Sequence, residues 1–163
     1  MKERCVKAGQ YRFSVRFLVR GGIRGCSTDF SRWGRTMIRI LLAEDDEAMR
    51  TYLARALEQA GYAVDAVDRG TAALPLIEQT DYDLLLSDIV MPEMDGIELA
   101  QRCAEISPRT RVMFITGFAA VALKASREAP RAKMLSKPFH LKDLVREVDR
   151  IFEDAKTEAQ FRP

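Results

Sequence analysis

The chain has one histidine and three cysteines in 163 residues. Cys5, Cys26 and Cys103 are too few and too irregularly spaced for a disulfide framework, and no Cys-x-x-Cys pair occurs. His140 has no nearby cysteine or second histidine with which to share a zinc ion. Long apolar runs are also missing. The longest, such as Phe118 to Leu123, cover a handful of residues, where a membrane helix needs about 20. The N-terminal region is basic, but its apolar run is only Phe17-Leu18-Val19, against the roughly 7–15 residues of a secretory signal. With no export signal visible, the expected compartment is the reducing cytoplasm, although an Arg-rich, acid-poor leader also has the composition of a transit peptide. Glycine and proline, at nine and six residues, are too sparse for a collagenous or low-complexity chain.

What the chain does have is an uneven charge distribution. The net charge of +2 divides into a basic segment and an acidic one. Residues 1–36 carry nine Lys/Arg against two acids, a balance of +7, and the rest carry 17 against 22, a balance of −5. The basic segment alternates apolar and polar residues from Tyr11 to Val19 like a strand, but no partner strand is evident. We expect it to be a disordered or non-native extension, with the native start at Met37. Binding of an acidic partner such as nucleic acid is electrostatically open to it, though it has no recognition-helix pattern.

From Met37 onward, strand-like and helix-like segments alternate. Strands are expected over 38–42, 62–67, 83–88, 111–116 and 132–136, and helices over 46–60, 71–79, 96–106, 118–126 and 141–152. Gly61 supplies a left-handed stop for the first helix. Pro75 in the second is tolerable if the first turn begins near it. The last helix places Leu141, Leu144, Val145, Val148, Ile151 and Phe152 on one face. Strands alternating with helices at this spacing predict an α/β domain over 37–154, with a parallel sheet covered on both sides, and a short tail over 155–163.

Ligands of such sheets bind outside the carboxyl ends of the strands. Strand one ends in Glu44-Asp45, then Asp46; strand three ends in Asp88, strand four in Thr116, and strand five in Ser136-Lys137-Pro138. If strands one and three are neighbours, three carboxylates converge beside a hydroxyl and an ammonium. Carboxylates so crowded repel one another unless a cation joins them, and hard oxygen ligands suit Mg2+. That set fits phosphoryl transfer to a carboxylate: Asp88 is the nucleophile, Lys137 and the metal neutralise the phosphoryl oxygens, and Thr116 hydrogen-bonds the transferred group. Taken singly these residues have plainer roles. A strand-terminal Asp often caps a helix, Asp46 is placed to do so, and Met91 and Met94 are suited to filling space under a loop.

Glu44-Asp45, Asp88 within Ser87-Asp88-Ile89-Val90-Met91-Pro92-Glu93-Met94-Asp95-Gly96, Thr116-Gly117 and Lys137-Pro138-Phe139 resemble the receiver domain of bacterial two-component response regulators. The resemblance implies a flavodoxin-like (βα)5 doubly wound fold with strand order 2-1-3-4-5. It also implies phosphorylation of Asp88 by a histidine kinase or histidine phosphotransfer protein. Mg2+ would be held by Glu44, Asp45, Asp88 and the Val90 backbone carbonyl. The chain departs from the family pattern at Met134, where an aromatic residue is usual. It departs again at Val90 and Phe118, which are apolar where polar groups elsewhere orient an attacking water; Phe118 is expected to shield the acyl phosphate. An aspartate-nucleophile phosphohydrolase would need an acid at the position of Val90.

Only 155–163 follow the last expected helix, too few for a DNA-binding output domain, so the expected output is a protein contact through the fourth strand, fourth helix and fifth strand. The stretches from Phe114 to Leu123 and from Leu135 to Leu141 resemble CpdR-type single-domain regulators, as does Leu41 to Asp46 leading into Met49-Arg50-Thr51. This resemblance implies an adaptor for ClpXP proteolysis that engages ClpX when unphosphorylated. A phosphorelay intermediate, handing phosphate to a second histidine protein, is the alternative.

Overall fold

The structure, a computed structural model, describes residues 37–160. The readings made for residues 1–36, including a start at Met37, lie outside the described residues.

Five strands form one parallel sheet: β1 (Arg39–Ala43), β2 (Ala63–Val67), β3 (Leu84–Asp88), β4 (Arg111–Thr116) and β5 (Lys133–Ser136). Their order is β2-β1-β3-β4-β5, as expected. The helices are α1 (Glu47–Gln59), α2 (Gly70–Gln79), α3 (Gly96–Ile106), α4 (Ala119–Glu128) and α5 (Leu141–Gln160). Successive strand residues point to opposite faces, and both faces are apolar. Ile40, Leu42, Leu84, Leu86, Met113 and Ile115 pack with Leu53 and Leu57 of α1 and with Leu144, Val148 and Ile151 of α5. Leu41, Ala43 and Leu85 pack with Ala73 and Ile77 of α2 and Leu99 and Cys103 of α3. Phe114 packs with Ile97, Ala100 and Ala125, so α4 joins this second side. At roughly 25 cal/mol per Å2 of apolar surface removed from water, these two layers dominate the folding free energy.

The helix ends follow from local sequence. Asp46 caps α1, its carboxylate accepting from Met49 N at 2.6 Å. After Ala60, Gly61 turns left-handed at φ 96°, while Gly61 N donates to Glu58 O and Tyr62 N to Leu57 O. Asp95 caps α3 through Glu98 N at 2.8 Å. Two details differ from expectation. Helix α2 starts at Gly70, so Pro75 sits in its interior and not in its first turn. Pro75 is exposed, and the helix carries through it. Helix α5 runs to Gln160, past the boundary at 154 read from the sequence. Among the described residues no helix is long and apolar enough to cross a membrane.

Candidate functional site

Glu44, Asp45, Asp88, Thr116 and Lys137 all lie at or just beyond the carboxyl ends of the strands. Glu44 directly follows β1; Asp88, Thr116 and Ser136 are the last residues of β3, β4 and β5. β1 and β3 are neighbours in register, with Ala43 opposite Ser87. The chain therefore leaves these two strands side by side. The connection from β1 runs to α1 on one face and that from β3 to α3 on the other, which opens a crevice between their loops. Asp88 lies opposite Ile115, so Thr116 stands one position beyond it, and Thr116 in turn pairs with Ser136.

Lys137 enters this crevice from the far side. Its Nζ lies 2.6 Å from Asp88 Oδ2 and 3.2 Å from Glu44 Oε2. Its backbone N–H donates to Thr116 O at 2.7 Å, which fixes where its side chain begins. Carboxylate oxygens of Glu44, Asp45 and Asp88 all lie within 4.8 Å of one another. Asp46, the fourth acid in this region, is spent on its cap and stands outside the trio. The other oxygen of Asp88, Oδ1, accepts from Val90 N at 3.1 Å. Thr116 is buried, and its hydroxyl accepts from Phe118 N at 3.2 Å.

The electrostatics follow from this crowding. Burial, with the Asp88 charge beside it, pushes the Glu44 carboxyl above the usual carboxylate range, and Lys137 only partly restrains the rise. Burial alone would lower the Lys137 ammonium, but its bonds to Asp88 and Glu44 outweigh this and hold it above its ordinary value. Lys137 is thus a fixed cation shared by two acids, in a site that still has an excess of negative charge. Three carboxylates with hard oxygen donors form a set suited to a small divalent cation.

Beside the acids opens a cleft of about 540 Å3 lined by Glu44, Asp46, Ala48, Met49, Tyr52 and Lys137. A larger cleft of about 880 Å3 lies at the amino ends of β4 and β5, near Arg111 and Lys133, and no site residue lines it. Met91 and Met94 are buried under the β3–α3 loop, in the space-filling place expected of them. His140 is exposed and directly precedes α5, its carbonyl accepting from Asp143 N.

Three residues that the sequence shows only as members of longer motifs, with no role read for them, also shape this region. Gly96 packs directly against the Asp88 backbone. Arg50 bonds the backbone of the acid pair. Glu93 adopts φ 67°, held by Arg69 and by the Thr71 hydroxyl. Gly96, as the first residue after a capping aspartate, was the one with a readable signal.

Comparison with known proteins agrees with this geometry. Residues 40–149 match the response regulator receiver domain. The chain is 60% identical over 116 residues to the response regulator receiver protein CpdR of Brucella abortus, covering 71% of this chain and 97% of that protein. A CheY-like receiver domain protein from Methanospirillum hungatei superposes with a TM-score of 0.70 at 27% identity, covering 76% of this chain and 99% of the other. The receiver domain of the hybrid histidine kinase CckA superposes with a TM-score of 0.59 at 33% identity, covering 69% and 96% respectively.

Proposed function

The chain belongs to the response regulator receiver family, and from that premise we propose that it is a cytoplasmic single-domain response regulator, phosphorylated on Asp88, that acts as an adaptor for ClpXP proteolysis. The observation that carries the phosphoacceptor assignment is the 2.6 Å contact between Lys137 Nζ and Asp88 Oδ2 inside a trio of acids. In the reaction, an Asp88 carboxylate oxygen attacks the phosphorus of a phosphohistidine on a histidine kinase or phosphotransfer protein. A P–O bond forms, the P–N bond breaks, and the imidazole leaves. The cleft lined by Glu44, Tyr52 and Lys137 opens beside the lysine that contacts Asp88 and offers the donor imidazole an approach to the acids. Lys137, freed from Asp88 Oδ2, pairs with a phosphoryl oxygen, and the Thr116 hydroxyl donates to another. Glu44, Asp45, Asp88 and the Val90 carbonyl would hold Mg2+, which supplies charge neutralisation to the incoming phosphoryl group. The protein is in this reading a phosphoacceptor and not an enzyme acting on a separate substrate.

The adaptor assignment rests on the likeness to CpdR and on an exposed apolar surface. Phe118, Leu123 and Met134 are 62%, 66% and 36% exposed and belong to the α4–β5 side. Large apolar side chains left in water in this number suit a protein partner. The unphosphorylated form binds ClpX, and the acyl phosphate on Asp88 switches that contact off.

Two measurements test the reading. A small phosphodonor with Mg2+ should label the wild type and not Asp88→Ala; label persisting in the variant refutes the acceptor. ClpX should retain unphosphorylated wild type and Asp88→Ala alike, and failure to retain either refutes the adaptor. The likeness to a receiver domain from a hybrid kinase supports a second reading, a phosphorelay intermediate. In that case label on the wild type would pass on to a second histidine phosphotransfer protein, with no retention by ClpX.

A further inference from the structure

Arg50 lies in the first turn of α1, where its own N–H donates to Asp46 O at 2.8 Å. Its side chain turns back toward the strand. Nη1 donates to the carbonyl of Glu44 at 2.7 Å and to that of Asp45 at 3.2 Å. Among the described residues these two carbonyls are its only side-chain hydrogen-bond partners; no carboxylate lies within ion-pair distance of it, although the Asp68 carboxylate is near enough to feel its charge. One nitrogen therefore fixes two successive peptide units, the ones that carry the two acids from the β1 end.

This matters because the Glu44–Asp45 link lies between the last residue of β1 and the cap of α1. Sheet bonds hold the Glu44 end, where Glu44 N donates to Val67 O at 3.2 Å. The Asp46 carboxylate holds the other end. Both acid side chains must nevertheless point to one place beside Asp88 against their mutual repulsion. Rotation of either peptide plane would release the strain by splaying the carboxylates. A guanidinium bonded to both carbonyls blocks that rotation and brings a second cation near the trio, on its backbone side.

We propose that Arg50 is a positioning residue for the divalent cation: it holds the Glu44 and Asp45 peptides so that their carboxylates converge before the cation arrives. The proposal rests on the Mg2+ reading of the trio. Outer partners that orient metal ligands typically contribute 10–100-fold to affinity, and Arg50 should contribute within that range.

The test uses the full chain, Mg2+ alone by calorimetry, and the Mg2+ dependence of labelling by a small phosphodonor. Arg50→Ala should weaken Mg2+ binding 10–100-fold and raise the Mg2+ concentration for half-maximal labelling by the same factor. The labelling rate at saturating Mg2+ should return to the wild-type value, because all three carboxylates and Lys137 remain. Arg50→Lys, with a shorter reach and one nitrogen able to contact a carbonyl, should recover part of the loss. Tyr62→Phe serves as the control: it removes the hydroxyl's bond to Asp149 beyond the far end of α1, touches neither carbonyl nor any of the acids, and should lower stability while leaving Mg2+ affinity near wild type. An unshifted midpoint in Arg50→Ala overturns the proposal, as does an equal shift in Tyr62→Phe. Absence of Mg2+ binding by the wild type would instead defeat the underlying metal reading, so the two failures are distinguishable.

Discussion

Gly96 sits against the backbone of Asp88 so closely that a methyl group on it would overlap the Asp88 carbonyl oxygen and come within 2.9 Å of Ser87 Oγ. Gly96 N also donates to Ile89 O at 2.9 Å, so α3 starts from a point tied to the loop that follows Asp88. Gly96→Ala must move either the end of β3 or the start of α3. Overpacking of this kind costs about 1–3 kcal/mol, and we expect urea denaturation to show a loss in that range. Labelling at Asp88 should fall with it. Wild-type stability in the variant would show that the two elements separate freely.

Phe118 is 62% exposed, although its backbone is fixed by the Thr116 hydroxyl. Val90, two residues after Asp88, is half-exposed. An acyl phosphate on Asp88 would thus lack a polar side chain at these two positions to orient an attacking water. Phe118→Glu should shorten its half-life several-fold, measured by loss of label after removal of the donor. An unchanged decay rate would rule out shielding by Phe118.

Glu93 occupies the left-handed region at φ 67°, where a side chain costs about 1–2 kcal/mol. Arg69 Nη1 at 3.3 Å and the Thr71 hydroxyl at 2.9 Å hold its carboxylate there, across from the β2–α2 loop. Glu93→Gly and Glu93→Ala both lose these bonds and differ only in backbone freedom. The glycine variant should be the more stable by about 1 kcal/mol in chemical denaturation. Equal or reversed stabilities would remove strain as the explanation.

Cys103 is fully buried in α3, and burial pushes its thiol up to about 11 from an ordinary 9.0. The folded state therefore keeps this proton after the unfolded chain has lost it. The thiol's contribution to stability is complete below pH 9 and fades between pH 9 and about 11. The stability difference between wild type and Cys103→Ser should narrow across that interval. At pH 8 iodoacetamide should leave Cys103 unmodified in the folded protein and alkylate it in urea, as read by peptide mass.

Much of this was legible from residue patterns because the responsible forces are local. Leu84 to Asp88 is apolar on both faces and then ends on an acid, which marks a central strand and its functional end together. Asp46 and Gly61 bound α1 by chemistry visible within four residues. Pro75 differs from expectation because propensity weighs the missing N–H alone, while the fold starts α2 five residues before it and leaves its ring exposed. Arg50 gave no signal, since its partners are main-chain carbonyls, which every residue possesses. The Arg69–Glu93 bond was equally hidden, because two loops meet only after α2 has packed beside α3. The 2-1-3-4-5 order came from resemblance, and the observed register of Ala43 against Ser87 now gives it a physical basis.

Lys137 is separated from Asp88 by 49 positions and from Glu44 by 93. A chain still emerging from the ribosome therefore carries its acids long before their ammonium is made. Until β5 has joined the edge of β4, the acids face one another without their counter-charge. A copy whose last strand is not in place lacks the ammonium beside Asp88 and Glu44. The charge balance of the crevice is therefore a property of the completed sheet and of no shorter part of it.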